Sequence, residues 1–249
     1  MNNSEKKRKV PEKKWVQEMF NRISKQYDFL NHFLSLGTDI YWRRKLIRII
    51  SRQHHGKPGE QGLHILDVAT GTGDQAIELM RLNPQMVRGT DISVGMLDLA
   101  RIKVRKKGMQ DRIEFQVEDA EAMTFQRNCF DVVTISFGIR NVERMRKGLE
   151  EMYRVLKPGG KLYILEFSHP RRFPVKQFYH FYLNHLVPWI GRIVAGDKGA
   201  YQYLSGSINQ FIDGEEMVRE LQSCHFQNIR MYLLTGGIAS IYQGEKPDA

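Results

Sequence analysis

The sequence predicts an α/β fold in which a mostly parallel sheet carries helices on both faces and ends in an antiparallel hairpin. Three observations predict it. From Leu63 onward, short apolar runs alternate with helical ones, as in successive strand–helix–strand units. The first of these runs opens into a glycine-rich turn, Ala69 to Gly73. The last two flank Thr235-Gly236-Gly237, a hairpin signature that an all-parallel sheet does not contain.

Taken in order, residues 1–14 are lysine-rich, lack the apolar run of a secretory signal and read as a solvated, disordered lead. Between Trp15 and Ile50, Val16, Phe20, Ile23, Leu30 and Leu34 recur at helical spacing, and a second helical run begins at Tyr41 beyond Gly37. This is a helical extension. Ser51 to Gly62 is a linker in which the adjacent His54 and His55 read as solvated, because a helical metal pair needs wider spacing. Then come strand Leu63–Val68, helix Asp74–Leu82, strand Val87–Thr90, helix Gly95–Lys107, strands Ile113–Val117 and Asp131–Ser136, and helix Arg144–Leu156. A turn at Lys157–Gly160 precedes strand Lys161–Phe167, and an aromatic insertion over residues 170–210 forms a lid. Strands Asn228–Leu234 and Ile238–Glu245 close the chain, so residues 15–249 form one domain.

Composition narrows the function. Of 249 residues, 41% are hydrophobic, enough for a sizeable core. The two cysteines, Cys129 and Cys224, have no partner motif, so neither a disulfide framework nor a metal site is signalled, and a reducing cytoplasmic setting is expected. No stretch of about 18 uncharged apolar residues is present. Lys and Arg exceed Asp and Glu by ten, which favours anionic partners: nucleic acid, an acidic lipid surface or a phosphorylated small molecule.

A strand that feeds a tight glycine turn leaves room for a nucleotide at its carboxyl edge, since a Cβ there would keep the backbone from the ligand. Gly71-Thr72-Gly73-Asp74-Gln75-Ala76 satisfies the G-x-G-x-x-G/A pattern of dinucleotide binders, and Asp91 follows at the spacing of a ribose-binding acid. Two features argue against a dehydrogenase. Asp67 just before the turn would oppose a pyrophosphate but suit an ammonium group, and the closing hairpin differs from the dinucleotide fold. Asp91 also reads as a simple helix N-cap.

Ile65-Leu-Asp-Val-Ala-Thr-Gly-Thr-Gly-Asp74, then Asp91-Ile92-Ser93 with Met96-Leu97, then Glu118-Asp119-Ala120, resembles the class I methyltransferase series. The resemblance implies a Rossmann-like, seven-stranded fold that binds S-adenosyl-L-methionine. Asp67, Gly71, Thr72 and Gly73 would then face the methionine moiety and Asp91 the ribose hydroxyls. Ile92, Met96, Asp119 and Ala120 would line the nucleoside, with Ser136 at the end of the fourth strand. Ala69 departs from the class, which usually has glycine there.

That alanine is shared by the quinone C-methyltransferases of menaquinone and ubiquinone synthesis, and other stretches are similar to theirs. These are Tyr27-Asp-Phe-Leu-Asn31 with Gly37 and Trp42-Arg43, Ile135-Ser-Phe-Gly-Ile-Arg-Asn141, and Arg154-Val-Leu-Lys-Pro-Gly-Gly160 running to Ser168. Leu30 replaces a usual methionine and Asp39 a usual histidine. The resemblance implies methylation of a ring carbon of a prenylated quinol, with demethylmenaquinol first and a ubiquinone-pathway benzoquinol as the alternative.

On that reading Arg140 and Asn141 act at the acceptor oxygen, and Tyr27 closes over the ring. Arg140 has a second reading as a structural partner of Glu143. The proton acceptor stays open among Asp74, Tyr201 and water. Phe173, Phe178, Tyr179, Phe181, Tyr182, Leu186, Val187 and Trp189 give the insertion an aromatic wall, either a packed lid or a surface for anionic membrane. Nucleic acid is not expected as a partner, since no RNA-binding appendage or asparagine-proline-proline-aromatic motif is present. A second copy of the chain is. A non-catalytic sensor of the same nucleoside is the remaining rival.

Overall fold

The computed structural model describes residues 12–35, 37–54, 62–183, 203 and 206–248, without the side chains of 25–30, 33 and 34. Seven strands form one sheet in the order β3-β2-β1-β4-β5-β7-β6. They are β1 His64–Val68, β2 Met86–Asp91, β3 Ile113–Val117, β4 Phe130–Ser136, β5 Leu156–Phe167, β6 Gln227–Leu234 and β7 Ala239–Glu245. β1 to β5 are parallel, and β7 pairs antiparallel with both β5 and β6. The chain builds outward from β1 to β3, then returns to lay β4 on β1's other side. Such a reversal leaves a crevice outside the carboxyl ends of β1 and β4.

The helices are α1 Lys13–Leu34, α2 Asp39–Gln53, α3 Asp74–Leu79, α4 Val94–Lys106, α5 Met145–Val155, α6 Val175–Phe181 and α7 Glu215–Ser223. Strand side chains alternate between faces, and β1 divides accordingly. Ile65 joins one core with residues of α1, α2 and α3, while Leu66 and Val68 join the other with Leu149, Met152 and Leu221. Asp67 therefore falls on the face that α1 and α2 cover. α5 shows why such a segment is helical: Leu149, Met152 and Val155 are fully buried at three-residue spacing, and Gly148 lets the helix approach Val142.

Most boundaries agree with the sequence to within a residue or two, and three readings change. α1 starts at Lys13, inside the stretch read as a lead, whose first eleven residues lie outside the description. Lys157–Gly160 does not separate two elements. β5 already pairs Leu156 with Phe130, and the four residues bulge opposite Asp131 before pairing resumes at Lys161 with Val132. His54 is half-buried against the Tyr163 ring, and burial lowers its imidazole to about 4. The insertion's Leu186, Val187, Trp189 and the nearby Tyr201 lie outside the described residues.

Candidate active site

A cleft opens over the carboxyl ends of β1, β2 and β4. Its floor is backbone and carboxylate. Gly71 (φ +57°) belongs to the turn after β1, and its N–H donates to Asp91 Oδ2 at 2.9 Å. Asp91 ends β2 and accepts the Ser93 N–H through Oδ1, so both oxygens are fixed by main chain. Ser93 Oγ in turn caps α4 by accepting the Met96 N–H at 3.2 Å. The N-cap role considered for Asp91 therefore belongs to Ser93. Burial raises the Asp91 carboxyl to about 6, although three backbone N–H groups oppose the shift.

The far wall comes from the segment after β4. Phe137 takes φ +58°, and Gly138 passes so near the first turn that a Cβ there would stand 2.7 Å from Ala69 Cβ. Ala69 itself takes φ +50°. A left-handed alanine is unfavourable by about 1–2 kcal/mol, which is the strain a glycine would relieve. The near wall is α1, where Val16 and Phe20 face the cleft. Gln17 Nε2 donates to the Ile92 carbonyl, and Asn21 Oδ1 accepts from Ser93 Oγ and the Gly95 N–H. The N-terminal helix thus rests on the β2–α4 junction as a roof.

The charges within the cleft are unequal. Asp91, Glu118, Asp119, Glu121 and Glu143 line it against the single ammonium of Lys13. Lys13 Nζ lies 2.6 Å from Asp119 and 3.4 Å from Glu121, and its backbone N–H donates to Glu143. Burial lowers its affinity for the proton, but Asp119 and Glu121 together outweigh burial and the net shift is upward. Acids beside apolar walls suit a cationic nucleoside and oppose a pyrophosphate.

Of the expected cofactor residues, Gly71, Asp91, Ile92, Met96, Asp119 and Ala120 line this cleft. Four others do not. Asp67 is fully buried, its oxygens taken by the Thr70 and Thr134 hydroxyls at 2.6 Å each, and burial raises it to about 6. It braces the turn from beneath. Thr72 Oγ1 accepts from Lys103 Nζ, and Gly73 faces Ala100 and Phe115, where a Cβ would be crowded. Ser136 is buried and its hydroxyl has no hydrogen-bond partner.

The acceptor residues divide too. Asn141 lines the cleft and accepts from the Tyr203 hydroxyl at 2.9 Å. Arg140, expected at the acceptor oxygen, turns the other way. The 3₁₀ turn Ile139–Asn141 sends its side chain into the interior, where Nη1 donates to Glu166 Oε1 and to the Phe137 carbonyl, each at 2.6 Å. Both members of that ion pair are fully buried, and burial raises the Glu166 carboxyl despite the guanidinium. Its partner is Glu166, not Glu143. Asp74 accepts from Lys103, and the Tyr27 side chain lies outside the description. Asp39, the departure from the family pattern, is buried and receives His32 Nδ1 at 2.8 Å and Ser35 Oγ at 2.9 Å. Lys13, Val16, Phe20 and Glu121 were not foreseen. Only the helical spacing of Val16 and Phe20 hinted at them.

A sequence model of the ubiE/COQ5 methyltransferase family matches residues 6–246. The chain belongs to that family. It is 44% identical over 232 residues to a demethylmenaquinone methyltransferase of Bacteroides fragilis, covering 93% of this chain and 92% of that protein. It is 43% identical over 233 residues to a ubiquinone/menaquinone biosynthesis C-methyltransferase of Geotalea daltonii, covering 93% and 96%. Among solved structures, a putative S-adenosyl-L-methionine-dependent methyltransferase of Methanococcus maripaludis superposes with a TM-score of 0.61 at 18% identity, covering 100% and 98%. That likeness carries the fold. This ubiE/COQ5 member is accordingly an S-adenosylmethionine-dependent methyltransferase, and its acid-lined, half-apolar cleft offers the hydrogen-bond acceptors such a nucleoside needs.

Proposed function

We propose that the protein transfers a methyl group from S-adenosyl-L-methionine to a ring carbon of a prenylated quinol, with demethylmenaquinol as its first acceptor. The similarity to demethylmenaquinone methyltransferases along nearly the whole chain carries this reading. When bound, the nucleoside supplies an electrophilic methyl on a sulfonium. The protein's part is chiefly placement, because a displacement of this kind gains most from an aligned, close approach. Asp91, held by two backbone N–H groups, offers its charge to the ribose hydroxyls. Val16, Phe20, Phe137 and Val142 keep water from the sulfonium. Asn141 stands at the carboxyl end of β4 and orients the acceptor.

A prenylated acceptor resides in lipid, and α6 has the character to meet it. Tyr179 and Tyr182 are buried at its end, while Phe178 and Phe181 on the helix and Phe173 just before it are 58%, 55% and 80% exposed. Arg171, Arg172 and Lys176 are exposed beside them. Aromatic and cationic side chains on one surface suit an anionic bilayer. No helix among the described residues is long and apolar enough to cross a membrane, so the contact proposed is peripheral, at the membrane's inner face.

Protein and methyl-labelled nucleoside, incubated in parallel with reduced prenyl-naphthoquinol, prenyl-benzoquinol and bulk RNA, test the acceptor. Label should enter the naphthoquinol first. Label in the benzoquinol alone would move the assignment to the ubiquinone pathway, as the Geotalea relative's name allows, and label in neither quinol would end the proposal. Co-sedimentation with phosphatidylglycerol vesicles tests the surface. Phe178→Ser with Phe181→Ser should release the protein, and absence of wild-type binding at low salt would remove the membrane contact.

A further inference from the structure

Two neighbouring side chains behind the cleft, one on α2 and one on α3, each bury a donor without a hydrogen-bond partner. Arg43, on α2, is 7% exposed, and Gln75, on α3, is 2% exposed. Arg43 Nη1 donates to Gln75 Oε1 at 3.3 Å, which joins the two. Arg43 Nε and Gln75 Nε2 are buried without hydrogen-bond partners. A buried donor left unpaired is destabilising, more so where the group is charged. Two of them, side by side and one cationic, are expensive unless something accepts from them.

Their surroundings say where the acceptor would come from. The Arg43 guanidinium lies 5.3 Å from the centre of the Phe137 ring, and Phe137 lines the cleft. Gln75 follows the Gly71–Gly73 turn by two residues. Asp67, beneath that turn, feels the positive charge of Arg43. Asp39 Oδ2 lies 4.0 Å from Arg43 Nε, near enough to balance its charge and too far for a hydrogen bond. A cation thus held, beside an amide N–H₂ and close to a glycine turn, matches a carboxylate.

We infer that Arg43 and Gln75 form a carboxylate-binding pair that receives the α-carboxylate of the nucleoside's amino-acid tail. The inference rests on the S-adenosylmethionine reading and is independent of the acceptor. Such a pair would recognise the anionic end of that tail and not its ammonium. It also separates recognition of the tail, made by α2 and α3, from recognition of the nucleoside, made by β2.

Calorimetry with two ligands tests it: S-adenosylhomocysteine, which has the amino-acid tail, and 5′-methylthioadenosine, which has none. Arg43→Met should weaken the first by roughly 100-fold and Gln75→Leu by roughly tenfold, and both should leave the second unchanged. Arg43→Lys, which keeps the charge in case Arg43→Met does not fold, should restore part of the loss. Equal losses for both ligands, or no loss for either, would overturn the pairing. If the wild type binds neither ligand, the nucleoside reading fails and this inference with it. If it binds both but methylates no quinol, only the acceptor assignment falls.

Discussion

The cleft has a floor and a roof built on different principles. The floor is main chain bent by β1, β2 and β4, and its one charged group, Asp91, is fixed by two backbone N–H groups. The roof is helical and meets the cleft through side chains, Lys13 most directly, from residues far away in sequence. Sheet geometry dictates where the floor lies, whereas the roof's position depends on a few polar contacts with the β2–α4 junction. Recognition of the nucleoside should therefore be rigid and concentrated, and admission to the cleft adjustable and distributed.

The largest effect expected lies below the floor. The Arg140–Glu166 pair is wholly buried beneath the segment that follows β4, and removing one partner of such a pair costs about 3–5 kcal/mol because a charge is stranded. Arg140→Met should lower unfolding stability by about that much in urea titration, and Arg140→Met with Glu166→Leu should recover most of it. A stable Arg140→Met protein with lost turnover would instead return Arg140 to the acceptor. Next comes Asp91→Asn, which keeps the shape but removes the charge. Affinity for S-adenosylhomocysteine should fall on the order of 100-fold by calorimetry, and an unchanged affinity would show that Asp91 serves only the turn.

This division also explains what could be read from the sequence. The floor was legible because strand, turn and acid follow one another within thirty residues, and backbone geometry leaves Gly71 and Asp91 little choice of position. Asp119 and Ala120 follow by the same logic at the end of β3. Arg140 stands at the expected edge of the sheet, but the direction of its side chain, which the sequence does not carry, is set by a single 3₁₀ turn and by Glu166, 26 residues away. Asp67 was placed correctly along the strand, but Thr134 closes it off from across the sheet. Lys13 carried no signal at all. A lysine in a basic stretch looks like its neighbours until a fold brings Asp119 to it.

Acidity sets the next scale. Burial raises Asp67 and Asp91 from 3.8 to about 6, so between those values the folded protein holds more protons than the unfolded one. Their contribution to the stability of the ligand-free protein is fully present below 3.8 and is lost as the pH rises through about 6. Nucleoside binding should run in the opposite direction, because Asp91 must be ionised to accept strongly. Affinity for S-adenosylhomocysteine should be flat above about pH 7 and fall by up to about tenfold per unit below 6. A profile that stays flat down to about pH 5 would detach the floor's charge from recognition.

The smallest effect probes the roof. Lys13 satisfies Asp119, an acid of the cleft proposed to meet the nucleoside, and the two side chains are 33% and 31% exposed. At that exposure an ion pair is weak and screened by salt, so Lys13→Ala should change affinity only about two- to fivefold. The sign is informative. If Lys13 competes with the nucleoside for Asp119, the variant binds S-adenosylhomocysteine more tightly at low salt, and added salt removes the difference. If the ammonium instead anchors α1 over a bound nucleoside, the variant binds more weakly, and faster ligand release accounts for it. The first outcome is expected, because Lys13 Nζ donates to Asp119 at 2.6 Å, and a roof held by the acid proposed for the nucleoside must yield when the nucleoside arrives.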